Sequence, residues 1–581
     1  MTSLPTAQEN IDADVIIIGA GAVGSLMAWQ LSQAGLSVAV IESGPPVDRG
    51  AAVVRFKNAA KKGATSAYER KPWAPSPHGP SEYYVQRKGK SVDLLEQAPF
   101  NASYLRCVGG TTWHWTGHAE RRYQNDFKTR SLFGRGVDWP VSYEDLEPFY
   151  ERVELAWGVA GDEQTIGPPR RSPFPLPAVP PTYLDIQVAA AAKTLGITTS
   201  TLAQARNSLP FDDRPPCCGS SSCRAICPIG AKYDANVHIK KAQAIGARIY
   251  ANRVAYLVEV DDQQQVCGIR YLNFDANSKG DQGLAKGRIY IIAAHGIETP
   301  KLMLMSKSKN SPAGLSNSSG QVGRNLMANA YVQTQGYTPV DKPVFSYRGP
   351  VSATSAFVEM RDGPFRNQHA AFDSYIYNGG FDPFEGPKMQ ANELIKMGFL
   401  GKQLSEKLAD LTARQIRLES SVEMLPHPEN RISLSKQKDG IGLPRPNIEF
   451  RFDDYTLRGI SIAWKRQLAI LKKMGVVGTD GKPLPEVDAK TTNKFIRGML
   501  ALPFAEVGAA NAVLAGTVRF GDDPKKAVVD SFCRSYDHRN LYVVGTCNYP
   551  TAGISSPTST AAALALRSAD YISRTFGSNA R

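Results

Sequence analysis

No uninterrupted apolar stretch approaches the ~18–20 residues that cross a bilayer, which argues against an integral membrane protein. Internal repeats are also missing, so repeat architectures are excluded. Lysines and arginines form nothing tighter than pairs (Lys61-Lys62, Arg170-Arg171, Lys472-Lys473). The formal net charge of +14 therefore reads as a solvated surface rather than a nucleic-acid footprint, though it favours anionic partners at long range. Eight cysteines are too few for a disulfide scaffold. Glycine (50) and proline (39) are too sparse for a low-complexity or collagen-like chain. The opening MTSLPTAQENIDADV has no basic start and no apolar segment, so neither a Sec nor a twin-arginine signal is read. The cytoplasm is the expected location unless a partner carries the chain across a membrane.

What is present is an ordinary globular composition, 42% hydrophobic and 21% charged, over 581 residues, too long for one core. Two or three structural units are expected at about 100–200 residues each. The β-branched run at 14–18 predicts a buried parallel strand, followed by Gly19-Ala-Gly21-Ala-Val-Gly24, a helix over 25–34 and a strand over 37–41 ending at Glu42. Strand, glycines, helix, strand and acid in this order form a dinucleotide-binding unit. Gly19 allows the turn, Gly21 lets the backbone approach a pyrophosphate, and Gly24 lets helix and strand pack closely. The helix N-terminus offers N–H groups to phosphate, and Glu42 is placed to accept from a ribose. Residues 45–105 read as long loops with short helices, and the proline-rich 163–183 as a connector. A strand pair is expected over 248–274, a strand at 288–294 with a helix from Glu298, mixed structure over 335–505, and strand, loop and long helix over 540–581. Four cysteines (217, 218, 223 and 227) fall within eleven residues at CC-x4-C-x3-C spacing. Soft thiolates on so tight a loop can hold an iron–sulfur cluster. Zinc and disulfides are the other readings of the same spacing.

The segments Gly19–Glu42, IIAAHGIETPKLMLMS and NLYVVGTCNYPTAGISSPTSTAAALALRSADYI together resemble the glucose-methanol-choline (GMC) oxidoreductases over most of the chain except roughly 335–500. The cysteine segment and CVGGTTWHWTG (107–117) resemble the cytochrome-linked branch of that family, which includes flavoprotein subunits of sugar and sugar-acid dehydrogenases. The resemblance implies an α/β fold: a Rossmann-like FAD-binding domain with an interleaved α+β substrate domain built on an antiparallel sheet. It divides the chain into an FAD-binding domain (12–60, 95–125, 205–335 and 505–581), a substrate domain (126–204 and 336–504) and a tail (1–11).

It implies FAD at Gly19, Gly21, Gly24 and Glu42, with Gly109, Gly110, Thr111 and Thr112 along the flavin. Gly545 and Thr546 would close over the pyrophosphate and ribityl chain, and Pro557 and Thr558 would meet the pyrimidine edge. Val254 completes the cofactor set. His114 in Trp113-His114-Trp115 reads either as a histidyl-flavin attachment point or as a packed histidine. A three-iron cluster (3Fe-4S) on Cys217, Cys223 and Cys227, with Cys218 adjacent, is also implied.

The resemblance further implies oxidation of a C–OH group of a sugar, sugar acid, glycoside or polyol, with electrons leaving through the cluster to a cytochrome c or quinone. The partners implied are a small twin-arginine-exported companion subunit and a membrane-anchored multihaem cytochrome c, which would place the protein on the periplasmic side of the inner membrane. A cytoplasmic oxygen-using oxidase and a non-catalytic flavoprotein subunit or scaffold are the rival readings.

One departure matters. The family pattern puts a catalytic histidine at Val513 and its His/Asn partner at Ser556, and neither residue of that pair is present. Ser556 can hydrogen-bond a substrate hydroxyl but is no base at neutral pH. Asn511 and Glu506 are near in sequence, and His538 is expected in an exposed turn. An active enzyme with an unusual substrate is the reading adopted, with its base supplied from 335–505.

Overall fold

Val15–Ile18, four β-branched residues, is fully buried at the centre of a five-stranded parallel sheet. The order is Leu541–Val543, Ile289–Ile292, Val15–Ile18, Val38–Ile41 and Arg248–Tyr250, every pair parallel. A strand buried on both faces has no polar side to alternate with, which is why IYII at 289–292 and VAVI at 38–41 read as continuous apolar runs. The computed structural model describes residues 10–77, 83–86, 100, 102–276, 278–351, 353–487 and 505–577, without the side chains of 505–513. Helix Ala22–Gln33 packs on this sheet, and Pro557–Gly577 packs against both that helix and Tyr143–Trp157.

The hairpin expected at 248–274 forms, as Arg253–Val260 paired antiparallel with Val266–Asn273. It belongs to a separate four-stranded sheet closed by Asp281–Lys286 and Asn10–Asp12. Residues 10 and 11, the end of the expected tail, thus pair with Asp12 in a short strand parallel to 284–286. The helix expected from Glu298 starts earlier, at His295, whose φ of 74° turns the chain out of the strand.

The second large layer is a six-stranded antiparallel sheet. Its order is Ala505–Ala515, Met327–Tyr337, Gln415–Val422, Phe372–Ile376, Ser355–Phe357 and Thr199–Thr201. Met327–Tyr337 and Ala505–Ala515, which the sequence division gave almost wholly to the FAD-binding domain, are strands of this sheet. Long-range pairing fixes that membership, and no local pattern carries it. The divisions at 95 and 504 and residues 1–9 lie outside the described residues.

One face of the sheet is covered by helix Asp454–Lys473, which buries Ile460, Ala463, Trp464 and Leu468 against Val332, Leu418 and Phe372. Gln467 of that helix ties the layers by donating to Ser420 Oγ (2.7 Å) and accepting from Thr334 Oγ1 (2.6 Å). No described helix is long and apolar enough to cross a membrane.

Beside this sheet Arg366, 1% exposed, holds Asp126 and Glu423 at 2.9 Å each, both carboxylates also 1% exposed. Removing one partner of such a set leaves uncompensated charge in the interior. Arg366→Met is expected to lower stability by about 3–5 kcal/mol, read as a lower denaturant midpoint with unchanged slope.

Candidate active site

At the carboxyl ends of the parallel strands lies a cavity of about 310 Å³. Its lining runs from Glu42, Arg106, Val254 and Glu298 to His114, Arg224 and Ser556. Open parallel sheets carry their ligands in such crevices because the glycine turns and helix N-termini converge there.

The glycine turn is built as its spacing predicts. Gly19 has φ 103° and its N–H donates to Ile41 O at 2.8 Å. A Cβ on Gly24 would stand 1.9 Å from Gly19 O, so helix and strand approach only because that carbon is missing. A Cβ on Gly21 would meet nothing within 4 Å, and Gly21 itself lines the cavity. Helix Ala22–Gln33 has no side-chain cap at Gly21, so its first N–H groups face a site that a phosphate can occupy. Glu42 accepts from the N–H groups of Ala20 and Gly44, each at 2.9 Å. Burial pushes its carboxyl above the ordinary range, opposed by those two bonds.

Gly109 (φ 94°) donates to Ala20 O at 3.0 Å, and a Cβ on Gly110 would stand 3.2 Å from Gly21 Cα. The 109–112 loop therefore lies directly on the glycine turn, with Thr112 Oγ1 accepting from Ala235 N–H at 2.8 Å.

Of the residues singled out from sequence, Gly19, Gly21, Glu42, Gly110, Thr111, Thr112, His114, Val254, Gly545, Thr546, Ser556 and Thr558 all line this one cavity. Gly24 and Gly109 brace it from behind, and Pro557 opens the last helix beside it. A long cleft with an open phosphate-facing helix end and a buried ribose-facing acid fits an FAD. Ser556 Oγ donates to His118 O at 2.9 Å, which commits its proton to the backbone. Asn511 and Val513 lie on strand Ala505–Ala515, and their side chains are outside the description. That strand nevertheless reaches the cavity wall, because Thr546 Oγ1 donates to Leu514 O at 2.6 Å. His538 is buried, not exposed, with Nδ1 against Gln264 O at 2.9 Å, and it has no place in the cavity.

Sequence reasoning missed a polar cluster on the cavity wall. Glu298 accepts from Tyr83 OH (2.8 Å) and Tyr104 OH, while Lys301 donates to Tyr83 OH (2.9 Å) and pairs with Asp439. Burial would raise the Glu298 carboxyl, but Arg106 and Lys301 outweigh it and hold the group below its usual range. His295 stacks on Tyr104 at 4.3 Å, and burial lowers its pKa to about 4. These residues come from loop and helix segments far apart in sequence; His295, Glu298 and Lys301 stood within a quoted motif, whereas Tyr83, Tyr104 and Asp439 did not.

The cysteine loop abuts the same cavity. Arg206, fully buried, places Nη1 2.9 Å from Cys223 Sγ and 3.8 Å from Cys217 Sγ, while Nη2 donates to Thr116 O at 3.1 Å. Lys232 Nζ donates to Trp113 O (3.0 Å) and Trp115 O (2.6 Å). Burial alone would raise the Cys223 thiol, but the Arg206 guanidinium outweighs it and the thiol lies below its ordinary range. Cys217 is half-buried, Cys218 exposed, Cys223 and Cys227 buried, and none is in a disulfide among the described residues. Among the described residues no three His, Cys, Asp or Glu side chains are grouped closely enough to hold a metal ion. The loop thus sets two buried thiols, Cys223 and Cys227, beside the buried side chains of Arg206 and Lys232.

Comparison with known proteins agrees with this site. Residues 426–565 match the family model described as GMC oxidoreductase, and residues 14–59 match that of FAD dependent oxidoreductases. The chain is 35% identical over 576 residues to the fructose dehydrogenase large subunit of Gluconobacter japonicus, covering 97% of this chain and 98% of that one. It is 28% identical over 571 residues to 6'''-hydroxyparomomycin C oxidase of Streptomyces lividus, covering 96% and 91%. Among solved structures, pyridoxine 4-oxidase from Mesorbium loti aligns with a TM-score of 0.62 at 15% identity, over 96% of this chain and 98% of that one, which bears on the fold alone. A glycine turn with room for a nucleotide's phosphates, the two family models and a full-length relative at 35% identity lead to one conclusion: this chain is an FAD-dependent oxidoreductase and belongs to the GMC oxidoreductase family.

Proposed function

We propose that this protein is a dehydrogenase that oxidises a CH–OH group of a sugar, sugar acid, glycoside or polyol and delivers the electrons through an iron–sulfur cluster to a cytochrome c or quinone. The observation that carries this reading is the contact between the cysteine loop and the cavity. Arg206 joins Cys217 and Cys223 to Thr116 by hydrogen bonds, and Lys232 donates to Trp113 O and Trp115 O of the same segment, with Thr116 and Trp115 on the cavity lining. When bound, FAD supplies the two-electron acceptor and the cluster a one-electron outlet. The chain's own residues hold both. Gly19, Gly21 and the 22–33 helix end seat the pyrophosphate, and Glu42 takes the ribose. The N-terminus of the 557–577 helix presents N–H groups that stabilise negative charge on the ring. Cys217, Cys223 and Cys227 are the ligands of the cluster, and buried Arg206 and Lys232 offset its charge. His114 lines the cavity and is the residue to which a covalent flavin would be joined.

The relative in Gluconobacter japonicus is named as a large subunit, which supports partner subunits for this chain as well. The partners proposed are a small companion exported by the twin-arginine route and a multihaem cytochrome c, with the site on the periplasmic side.

Anaerobic mixing with a panel of ketoses, aldoses, sugar acids and polyols tests the reading. Loss of flavin absorbance with at least one of them is expected. A flavin that dithionite bleaches and no member of the panel does would overturn it.

A further inference from the structure

The six-stranded sheet has two unlike faces. Directly opposed residues of antiparallel strands point to the same side, so the pairs Tyr375↔Glu419 and Gln333↔Glu419 place these three side chains on one face. Val332, Leu418 and Ser420, one residue along, point to the other face and are buried under helix Asp454–Lys473. The first face therefore looks away from that helix. Contacts of His118 and Arg224 place the cavity on that side. The Tyr375 ring lies 5.3 Å from the His118 ring, and the His118 carbonyl receives Ser556 Oγ of the cavity wall. Arg224, itself part of the lining, donates to Tyr377 OH at 2.8 Å and interacts electrostatically with Glu419. Arg417, two residues before Glu419, stacks its guanidinium 3.8 Å from the Tyr377 ring centroid.

Carboxylates on this face differ in their commitments. Asp373 and Glu120 are both bound by Arg361. The carboxylate of Glu419, half-buried at the middle of the sheet, takes part in no hydrogen bond or ion pair among the described residues. It is an acceptor-only group with its lone pairs uncommitted.

We propose that Glu419 takes the hydroxyl proton of the substrate, in place of the histidine that the family pattern puts at position 513. The inference rests on the proposed CH–OH oxidation. The O–H bond breaks with its proton going to the Glu419 carboxylate, and the C–H hydrogen leaves with the bonding electron pair, as hydride, for the oxidant, FAD. Alcohol and oxidised flavin thus become carbonyl and reduced flavin. Gln333 and Tyr375 flank the carboxylate and orient hydroxyl groups, and Arg224 stabilises the negative charge that builds on the substrate oxygen.

Anaerobic stopped-flow flavin reduction by the substrate found in the panel is the test. Glu419→Gln keeps size and polarity but cannot accept the proton. The expected slowing is ~10²–10⁴-fold at saturating substrate, with flavin content and dithionite reduction unchanged. Difference infrared spectra on substrate reduction should show a carboxylate band lost and a protonated carboxyl band gained, both missing from Glu419→Gln. Formate should restore part of the rate in Glu419→Ala, which a packing defect would not allow. A flavin-loaded Glu419→Gln within about threefold of wild type would overturn the proposal, and so would unchanged carboxyl bands. A wild type that no polyol reduces would overturn the proposed function instead, and the role of Glu419 with it.

Discussion

Gly24→Ala is expected to leave the purified protein colourless. The added carbon would stand 1.9 Å from Gly19 O and 3.1 Å from Gly19 C, both backbone atoms, so no side-chain rotation relieves it. Either the helix moves off the strand or the turn opens. In both cases the N–H groups at residues 21–23 leave the position in which they converge on a pyrophosphate. A loss of at least ~100-fold in FAD affinity is expected, about 2.7 kcal/mol. Flavin absorbance after gel filtration measures it. Gly35→Ala is the matched comparison. It sits at the far end of the same helix with φ 84°, and its Cβ would meet nothing within 4 Å. It carries about 1–2 kcal/mol of backbone strain without touching the site, so this variant should stay yellow. If Gly24→Ala binds flavin as wild type does, the turn is not the phosphate seat.

Cys223→Ala is expected to separate the two halves of the reaction. Cys223 lies 5% exposed behind the Trp113–Thr116 segment, its sulfur 2.9 Å from Arg206 Nη1. Without that sulfur the buried Arg206 guanidinium loses a partner at 2.9 Å, and the proposed cluster loses one of its three ligands. Bleaching of the flavin by substrate should persist, because no residue of the flavin seat has changed. Turnover with a cytochrome c or a quinone analogue should fall by at least ~100-fold, with loss of protein-bound iron. Cys267→Ala, an exposed cysteine on strand Val266–Asn273, should behave as wild type. Equal acceptor turnover in Cys223→Ala and wild type would remove the cysteine loop from the electron path.

The sequence made the nucleotide-binding unit legible because each of its parts is local. Four β-branched residues, three glycines at fixed spacing and an acid after the second strand need no tertiary information. Twelve residues chosen from five separate segments line one cavity. Other features escaped for physical reasons. The membership of Met327–Tyr337 in the antiparallel sheet is decided by its partners Gln415–Val422 and Ala505–Ala515, up to about 180 residues away, and not by its own alternation. His538 sits in a turn, which composition reads as exposed, yet the 261–265 turn covers it and Gln264 O meets its ring. The Tyr83–Tyr104–Glu298–Lys301 cluster joins a loop to a helix, and a side-chain network of that kind leaves no periodic trace. Glu419 is one acid among several in a region without a motif. Strand register alone sets it beside Gln333 and Tyr375.

The proposed function requires that electrons from the substrate pass from the flavin to the cysteine loop. Paramagnetic resonance of anaerobically purified protein, recorded with its iron content before and after addition of the substrate that bleaches the flavin, tests this directly. The prediction is bound iron with a cluster signal that changes on substrate addition in step with loss of the flavin colour. Iron-free protein, or a flavin bleached beside an unchanged signal, would contradict it.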